Sequence, residues 1–397
     1  MDAMSHSRHA CPHEPDAGRG GGERGGRLVG GGVIGASIAF HLAEAGVEDA
    51  LLLERDAPAS GSSGKPIGGI RAQFSDPLNI RLGQRSLAAW RAFPDRPGAE
   101  IGVESVGYLF LLAAEGDAAA FRRAVDVQRE LGVDSALLTP REAHRLCPYV
   151  ESRAIVAAAY SPDDGFALPG ASVHGYLTAA RRLGAGVRTH CAVTGLDRDG
   201  DRITGVRTAA GTVRTGTVIC AAGAWSAGIG AIAGVELPVT PLRRQIALTG
   251  PLRPAPPRIP FTLDFFSTLY FHNDTADGLV LGFSDPCQRP GFEREFSPEW
   301  LEPFRAAARL RAPVLAGMAA TGGGWAGLYE MTPDRNALIG QAAGISRFLY
   351  ATAADMTERL AIARRIGHQT LARQSGEVHR PERTRSQAGY RRCWSVR

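Results

Sequence analysis

Apolar residues recur every fourth position at Ile34, Ile38 and Leu42, and Gly46 follows as a stop, which predicts a helix over 33–45. Short apolar runs flank it: Leu28 and Val29 before, and 50–53 after, the second ending at Glu54. Amphipathic spacing predicts further helices over 78–93, 117–131, 172–183 and 297–311. Strand-like stretches are expected over 186–193, 202–208 and 217–221. A strand-rich block then runs from 238 to 283, with alternating segments at 245–249, 268–272 and 279–283. The uncharged run 218–235 is rich in Gly and Ala and only modestly apolar, so it reads as a buried strand, turn and helix, not a membrane span. No repeat occurs at solenoid periods.

The β-α-β opening followed by strands with few helices predicts an α/β fold with an α+β second domain. One part is a doubly wound, Rossmann-like nucleotide-binding domain. The other is a strand-rich, mostly antiparallel sheet that covers the cofactor. At 397 residues the chain has room for two such domains. The net charge of +5 comes from the end of the chain: residues 357–397 hold ten Arg and three Glu, a net of +7, which leaves about −2 for the rest. A near-neutral body argues against a nucleic-acid partner. The six Cys, at 11, 147, 191, 220, 287 and 393, form no CxxC pair and no metal spacing. They point to a reducing compartment, and with no apolar core in the first 27 residues the expected location is cytoplasmic.

Gly30-Gly31-Gly32-Val33-Ile34-Gly35 fits G-x-G-x-x-G. Gly30 permits a tight turn out of the first strand, Gly32 lets a pyrophosphate approach the backbone, and Gly35 lets the helix pack close to the strand. The helix N-terminus then offers free N–H groups to phosphates. Glu54 lies 19 residues beyond Gly35 at the end of the second strand, where a carboxylate accepts ribose hydroxyls. The first strand reads as stunted, because Arg24-Gly25-Gly26-Arg27 precedes Leu28. The loop Ala59-Ser60-Gly61-Ser62-Ser63-Gly64-Lys65 is small and donor-rich, and it continues into Gly68-Gly69-Ile70-Arg71. A loop of this kind wraps a cofactor that extends beyond its adenine half.

With these residues in view the sequence resembles the FAD-dependent amine and amino-acid oxidoreductases of the D-amino-acid oxidase (DAO) superfamily, above all the sarcosine oxidase β-subunit branch. The stretches VGGGVIGASIAFHLAEAG with LLLERD, GSSGKPIGGIRAQFSDP, VICAAGAWSAGIG and GWAGLYEMTPDRNALIG carry the resemblance, over roughly 28–352. It implies noncovalent FAD, held at the pyrophosphate by Gly30, Gly32, Val33, Ile34 and Gly35, with Glu54 and Arg55 at the adenosine. Ser62, Lys65, Gly68 and Gly69 would line the flavin side, Val193 would meet the adenine, and Ala222, Gly223 and Trp225 form a second cofactor segment. Arg71 matches the arginine that pairs with a substrate carboxylate, and Tyr329 matches a pocket tyrosine. Tyr270 is a looser match, and His272 shares its strand face by period two. The reaction implied is hydride transfer from the C–N bond of a small amino acid or N-methyl amino acid (sarcosine-, glycine- or proline-like) to flavin N5. Implied partners are that substrate and O₂ or another electron acceptor, with membership of a hetero-oligomer possible in this branch. The domains expected are FAD-binding (28–90, 152–238 and 322–352) and substrate-binding (91–151 and 239–321), with a disordered tail at 1–27 and an atypical basic tail at 353–397.

Departures from the family pattern refine this. Gly327 stands where monomeric relatives carry a flavin-tethering Cys, Pro169 where a His carries covalent FMN, and Val280 where a Lys promotes reaction with O₂. Lys65 is the sole lysine of the chain. Gly327 implies no covalent tether and Pro169 no second flavin, while Val280 and the lone lysine tilt the reading towards a dehydrogenase. After 349–352 the family continues Gly-Phe-Ser-Gly-His-Gly, which here is replaced by Ala353-Ala354-Asp355-Met356 and an Arg-rich tail. The alternative reading is therefore a catalytically impaired flavoprotein or scaffold subunit without that flavin-contacting turn. An NAD-dependent dehydrogenase is permitted by Glu54 but has no use for the GSSGKPIGG or GLYEMTPD stretches.

Overall fold

A computed structural model of the chain describes residues 25–274, 276–318 and 322–352. The expectations for 1–24 and for 353–397 fall outside the described residues.

Six strands form one sheet, in the order Leu338–Gln341, Phe348–Thr352, Thr217–Cys220, Gly26–Val29, Leu51–Leu53, Gly186–Arg188. All neighbours are parallel except the edge pair Leu338–Gln341 and Phe348–Thr352. Parallel strands covered on both faces read as continuous apolar runs, as in Leu51-Leu52-Leu53. The helices Val33–Glu44 and Pro169–Arg182 lie together on this sheet, with Phe40 and Tyr176 in ring contact at 5.5 Å. Leu28, Ile38, Leu42 and Leu52 are wholly buried, each contributing about 2 kcal/mol of transfer free energy.

The first strand starts earlier than the pattern predicts. Gly26 and Arg27, expected in the tail, pair with Thr217, Val218 and Leu51. The charge of buried Arg27 is accommodated because its guanidinium donates to the Asp49 carbonyl (2.7 Å) and carboxylate (3.0 Å). The predicted strand 186–193 divides into Gly186–Arg188 and Val193–Asp199, the latter in a separate three-stranded sheet.

Eight strands form the second sheet: Gly324–Met331, Thr240–Leu248, Leu279–Phe283, Leu269–Asn273, Phe261–Asp264, Tyr108–Leu112, Ala157–Ser161, Ala136–Leu138. It is antiparallel apart from the pairing of Phe261–Asp264 with Tyr108–Leu112. Two segments that the family resemblance groups with the FAD-binding side, Ala157–Ser161 and Gly324–Met331, pair here instead. Cross-strand hydrogen bonding to distant segments decides their membership, which local periodicity does not encode.

Paired residues share a sheet face. The register Tyr108↔Phe261, Leu263↔Tyr270, Tyr270↔Gly282, Gly282↔Ile246 and Ile246↔Trp325 therefore places one row of side chains on one face. His272, Arg244, Gly327 and Tyr329 join it by the period of two. The opposite face, with Leu109, Leu111, Phe271 and Leu281, buries against Phe304 and Ala308 of the helix Leu301–Arg311. No helix among the described residues is long and apolar enough to cross a membrane.

Candidate active site

The glycine turn is built by close backbone approach. Gly30 has φ +116°, a conformation that L side chains rarely adopt, and a Cβ there would collide with the Ala221 carbonyl. A Cβ on Gly35 would run into the Gly30 carbonyl. Gly32 caps the helix Val33–Glu44 without a side chain, and Ser63 supplies the missing acceptor: its Oγ takes the Val33 N–H at 2.9 Å. The Glu54 carboxylate is held at the strand end by the N–H groups of Gly31 (2.5 Å) and Asp56 (2.8 Å).

A cavity of about 280 Å³ opens over this turn. Of the residues expected to hold the cofactor, Gly30, Gly32, Val33, Ile34, Glu54, Arg55, Ser62, Val193, Ala222, Gly223 and Trp225 line it. Gly35 stands behind the turn as packing, while Lys65, Gly68 and Gly69 lie outside the lining. Sequence reasoning missed Ser63 and Glu330. Glu330 follows Tyr329 on its strand, so the alternation of that strand turns it to the opposite side, where it meets Gly223 in the cavity wall. The residues fit an adenine dinucleotide. Ser62 Oγ is buried in the lining with no hydrogen-bond partner among the described residues, an orphan that a phosphate oxygen would satisfy. The glycines leave the backbone bare at the N-terminus of the helix. At the cavity rim Trp225 lies between Arg55 (4.5 Å) and a loop of the second sheet, stacked on Phe292 (5.6 Å) with Arg294 at 5.5 Å.

The loop after the cavity crosses the tyrosine-bearing face of the second sheet. Trp325 Nε1–H donates to the Lys65 carbonyl at 2.7 Å, and Gly327 has no side chain because Lys65 lies over it. Gly69 sits against the Phe261 ring, and Gly68, at φ +83°, against the Ala167 carbonyl. The loop thus delivers Arg71 to this face. Its Nη1 donates to Tyr108 Oη at 3.5 Å, and its guanidinium rests over the rings of Phe74 (4.8 Å), Phe110 and Tyr108 (both 5.5 Å). Buried Asp164 accepts the Ala72 N–H at 2.9 Å, fixing the backbone beside Arg71. Burial pushes its carboxyl up to about 7, against the pull of the Ala72 N–H and the Arg71 charge.

Tyr270 is buried and hydrogen-bonded to Tyr329, and burial holds its phenol well above the usual value. Its ring crosses Gly282, where any Cβ would strike it. Tyr329 is 39% exposed, with the Arg244 guanidinium 5.1 Å from its ring. Arg71, Tyr108, Tyr270 and Tyr329 are therefore brought to one face. Tyr108 and Arg244 escaped the sequence reading, since a Tyr or Arg in an alternating strand carries no signal of what it faces.

His272, expected beside Tyr270 at the reacting centre, has a different setting. Its ring is stacked on Phe166 (4.4 Å) and Phe261 (5.1 Å). Its Nε2 lies 3.1 Å from the Ile67 carbonyl and its Nδ1 2.6 Å from that of Asn273, so it pins the Lys65–Arg71 loop. Burial pushes its pKa down to about 4. The ring stays neutral in the fold but charges in the unfolded chain between about pH 6.5 and 4. The fold therefore loses stability as pH falls through that window, by about 3 kcal/mol at the acid end. His272→Gln removes this titration, so the stability difference between the native protein and the variant, from urea midpoints, narrows between pH 7 and pH 4. A difference independent of pH would show that the ring is not held neutral.

Among the described residues Cys147, Cys191, Cys220 and Cys287 form no disulfide, and no cluster of His, Cys, Asp and Glu has the makings of a metal site. The chain is 30% identical over 341 residues to 4-methylaminobutanoate oxidase (formaldehyde-forming) of Paenarthrobacter nicotinovorans, covering 82% of this chain and 40% of that protein, so it spans under half the length of that relative. It is 26% identical over 318 residues to sarcosine oxidase subunit beta of Arthrobacter sp, covering 79% of this chain and 78% of the subunit. The crystal structure of L-proline dehydrogenase from P. horikoshii superposes with a TM-score of 0.80 at 27% identity, over 90% of this chain and 95% of that one. The family described as DAO, FAD dependent oxidoreductase, matches residues 28–364. That match takes in the glycine turn, the loop bearing Arg71 and the strand bearing Tyr329, and with it the chain belongs to the DAO family of FAD dependent oxidoreductases.

Proposed function

We propose that this chain oxidises the C–N bond of a small amino acid or N-methyl amino acid (sarcosine-, glycine- or proline-like), using FAD held without a covalent bond. The observation that carries the reading is the Arg71 guanidinium, set among Phe74, Tyr108 and Phe110 on the face that the cofactor loop crosses. Bound FAD supplies the hydride acceptor. Arg71 holds the substrate carboxylate through two parallel hydrogen bonds and so fixes which C–H points at the acceptor. Tyr270 and Tyr329 shape the pocket floor, and burial keeps the Tyr270 phenol neutral. The amine loses a hydride from carbon and a proton from nitrogen, and water converts the resulting imine to a carbonyl compound and an amine. Glu54 and Val193 take the adenosine, while Ser62 and the turn at Gly30–Gly35 take the pyrophosphate. Noncovalent binding accords with Gly327, which offers no nucleophile at the strand beside Lys65, and O₂ or another acceptor then takes the electrons.

Anaerobic titration of the FAD-loaded protein with sarcosine, glycine, L-proline and the dicarboxylate iminodiacetate tests this. Bleaching of the yellow absorption by at least one of them is expected. Protein that stays colourless after incubation with excess FAD, or yellow protein that dithionite bleaches and no amine does, overturns the proposal.

A further inference from the structure

The tyrosine-lined face carries a second guanidinium that the reaction above does not use. Arg244 pairs across the sheet with Gly327, the residue over which Lys65 lies. It is half-buried. Its Nη1 donates to the Arg243 carbonyl at 3.2 Å, while its Nε is buried with no hydrogen-bond partner among the described residues. Among the described residues no acidic side chain forms an ion pair with it: its neighbours on this face are Ile246, Trp325, Gly327 and Tyr329, and Glu330 points to the other side. A cation withdrawn from water without a counter-ion is unfavourable, so the setting calls for an anion. Arg71 stands against Tyr108, Tyr270 is bonded to Tyr329, and Tyr329 lies under Arg244. The face is thus a tyrosine floor between two guanidiniums.

We infer that Arg244 forms a second anion subsite and that the substrate is an amine bearing two carboxylates, one held by Arg71 and the other by Arg244. The inference rests on the reading of Arg71 as the first carboxylate anchor. It narrows the substrate from any small amino acid to an N-carboxyalkyl amino acid.

The test uses the FAD-loaded protein and three sulfur analogues that cannot be oxidised as amines: methylthioacetate with one carboxylate, and thiodiacetate and 3,3′-thiodipropionate with two. Dissociation constants are read from the perturbation of the visible flavin spectrum. At least one dicarboxylate binds tenfold or more tighter than methylthioacetate. Arg244→Met reduces its affinity to that of the monocarboxylate, Arg244→Lys restores part of the preference, and Arg71→Ala weakens all three. Methylthioacetate binding that depends on Arg71, with no dicarboxylate preference or a preference that survives Arg244→Met, overturns the second subsite and leaves the Arg71 anchor standing. Failure of all three to bind, or binding indifferent to Arg71, overturns the anchor and the second subsite with it.

Discussion

Arg71→Ala raises the KM for a carboxylate-bearing amine about a hundredfold and leaves the visible spectrum of the FAD-loaded protein in place. Removing one partner of a hydrogen-bonded charge pair costs about 2–5 kcal/mol, and a hundredfold corresponds to about 3 kcal/mol. The loss falls on substrate binding because the guanidinium lies over Phe74, Tyr108 and Phe110, outside the cavity over the glycine turn. Arg71→Lys is no conservative change, since an ammonium keeps the charge but not the planar fork that aligns a carboxylate. It recovers part of the affinity and little of the orientation, so kcat stays low while KM falls back. Steady-state kinetics with a spectrum of each variant check this. An unchanged KM in Arg71→Ala would reduce the residue to a structural partner of its aromatic neighbours.

The second large effect is at the glycine turn. In an open helix position Gly→Ala stabilises by up to about 1 kcal/mol. Gly35→Ala reverses that sign, because the new methyl would collide with the Gly30 carbonyl. That oxygen belongs to backbone already pressed on Ala221 and has nowhere to retreat without opening the turn. Overpacking of this kind costs roughly 1–3 kcal/mol, and here it displaces the N–H groups that face the phosphates. Titrated by flavin fluorescence quenching, FAD binds Gly35→Ala about a hundredfold more weakly, and the purified variant is colourless. Gly170→Ala is the control. Gly170 lies in the helix Pro169–Arg182 with no atom near enough to meet a Cβ, so its variant keeps FAD and unfolds no earlier. Equal FAD affinity in the two variants would show that the turn does not need its glycines.

The glycine turn and most of the cavity lining above it were legible because their signals are local. Six residues encode the turn, a helix period follows directly, and Glu54 closes the second strand. The loop from Gly61 to Arg71 is likewise one continuous stretch, so its small residues and terminal guanidinium were visible together. The period of two correctly put His272 on the face of Tyr270, yet it was silent on the Ile67 carbonyl that occupies the ring. Ala157–Ser161 and Gly324–Met331 were both grouped by resemblance with the cofactor segments around them. Both were reassigned by hydrogen bonding to partners far along the chain.

Residue order alone therefore established the glycine turn and the class of fold, and it put Arg71 at the end of the loop that follows, since each depends on backbone sterics or on contiguous residues. The tyrosine floor, the second guanidinium at Arg244, the turning of Glu330 into the cavity and the retirement of His272 to a structural task came from folding. These depend on strand register between distant segments, where a shift of one residue would send every side chain to the other face.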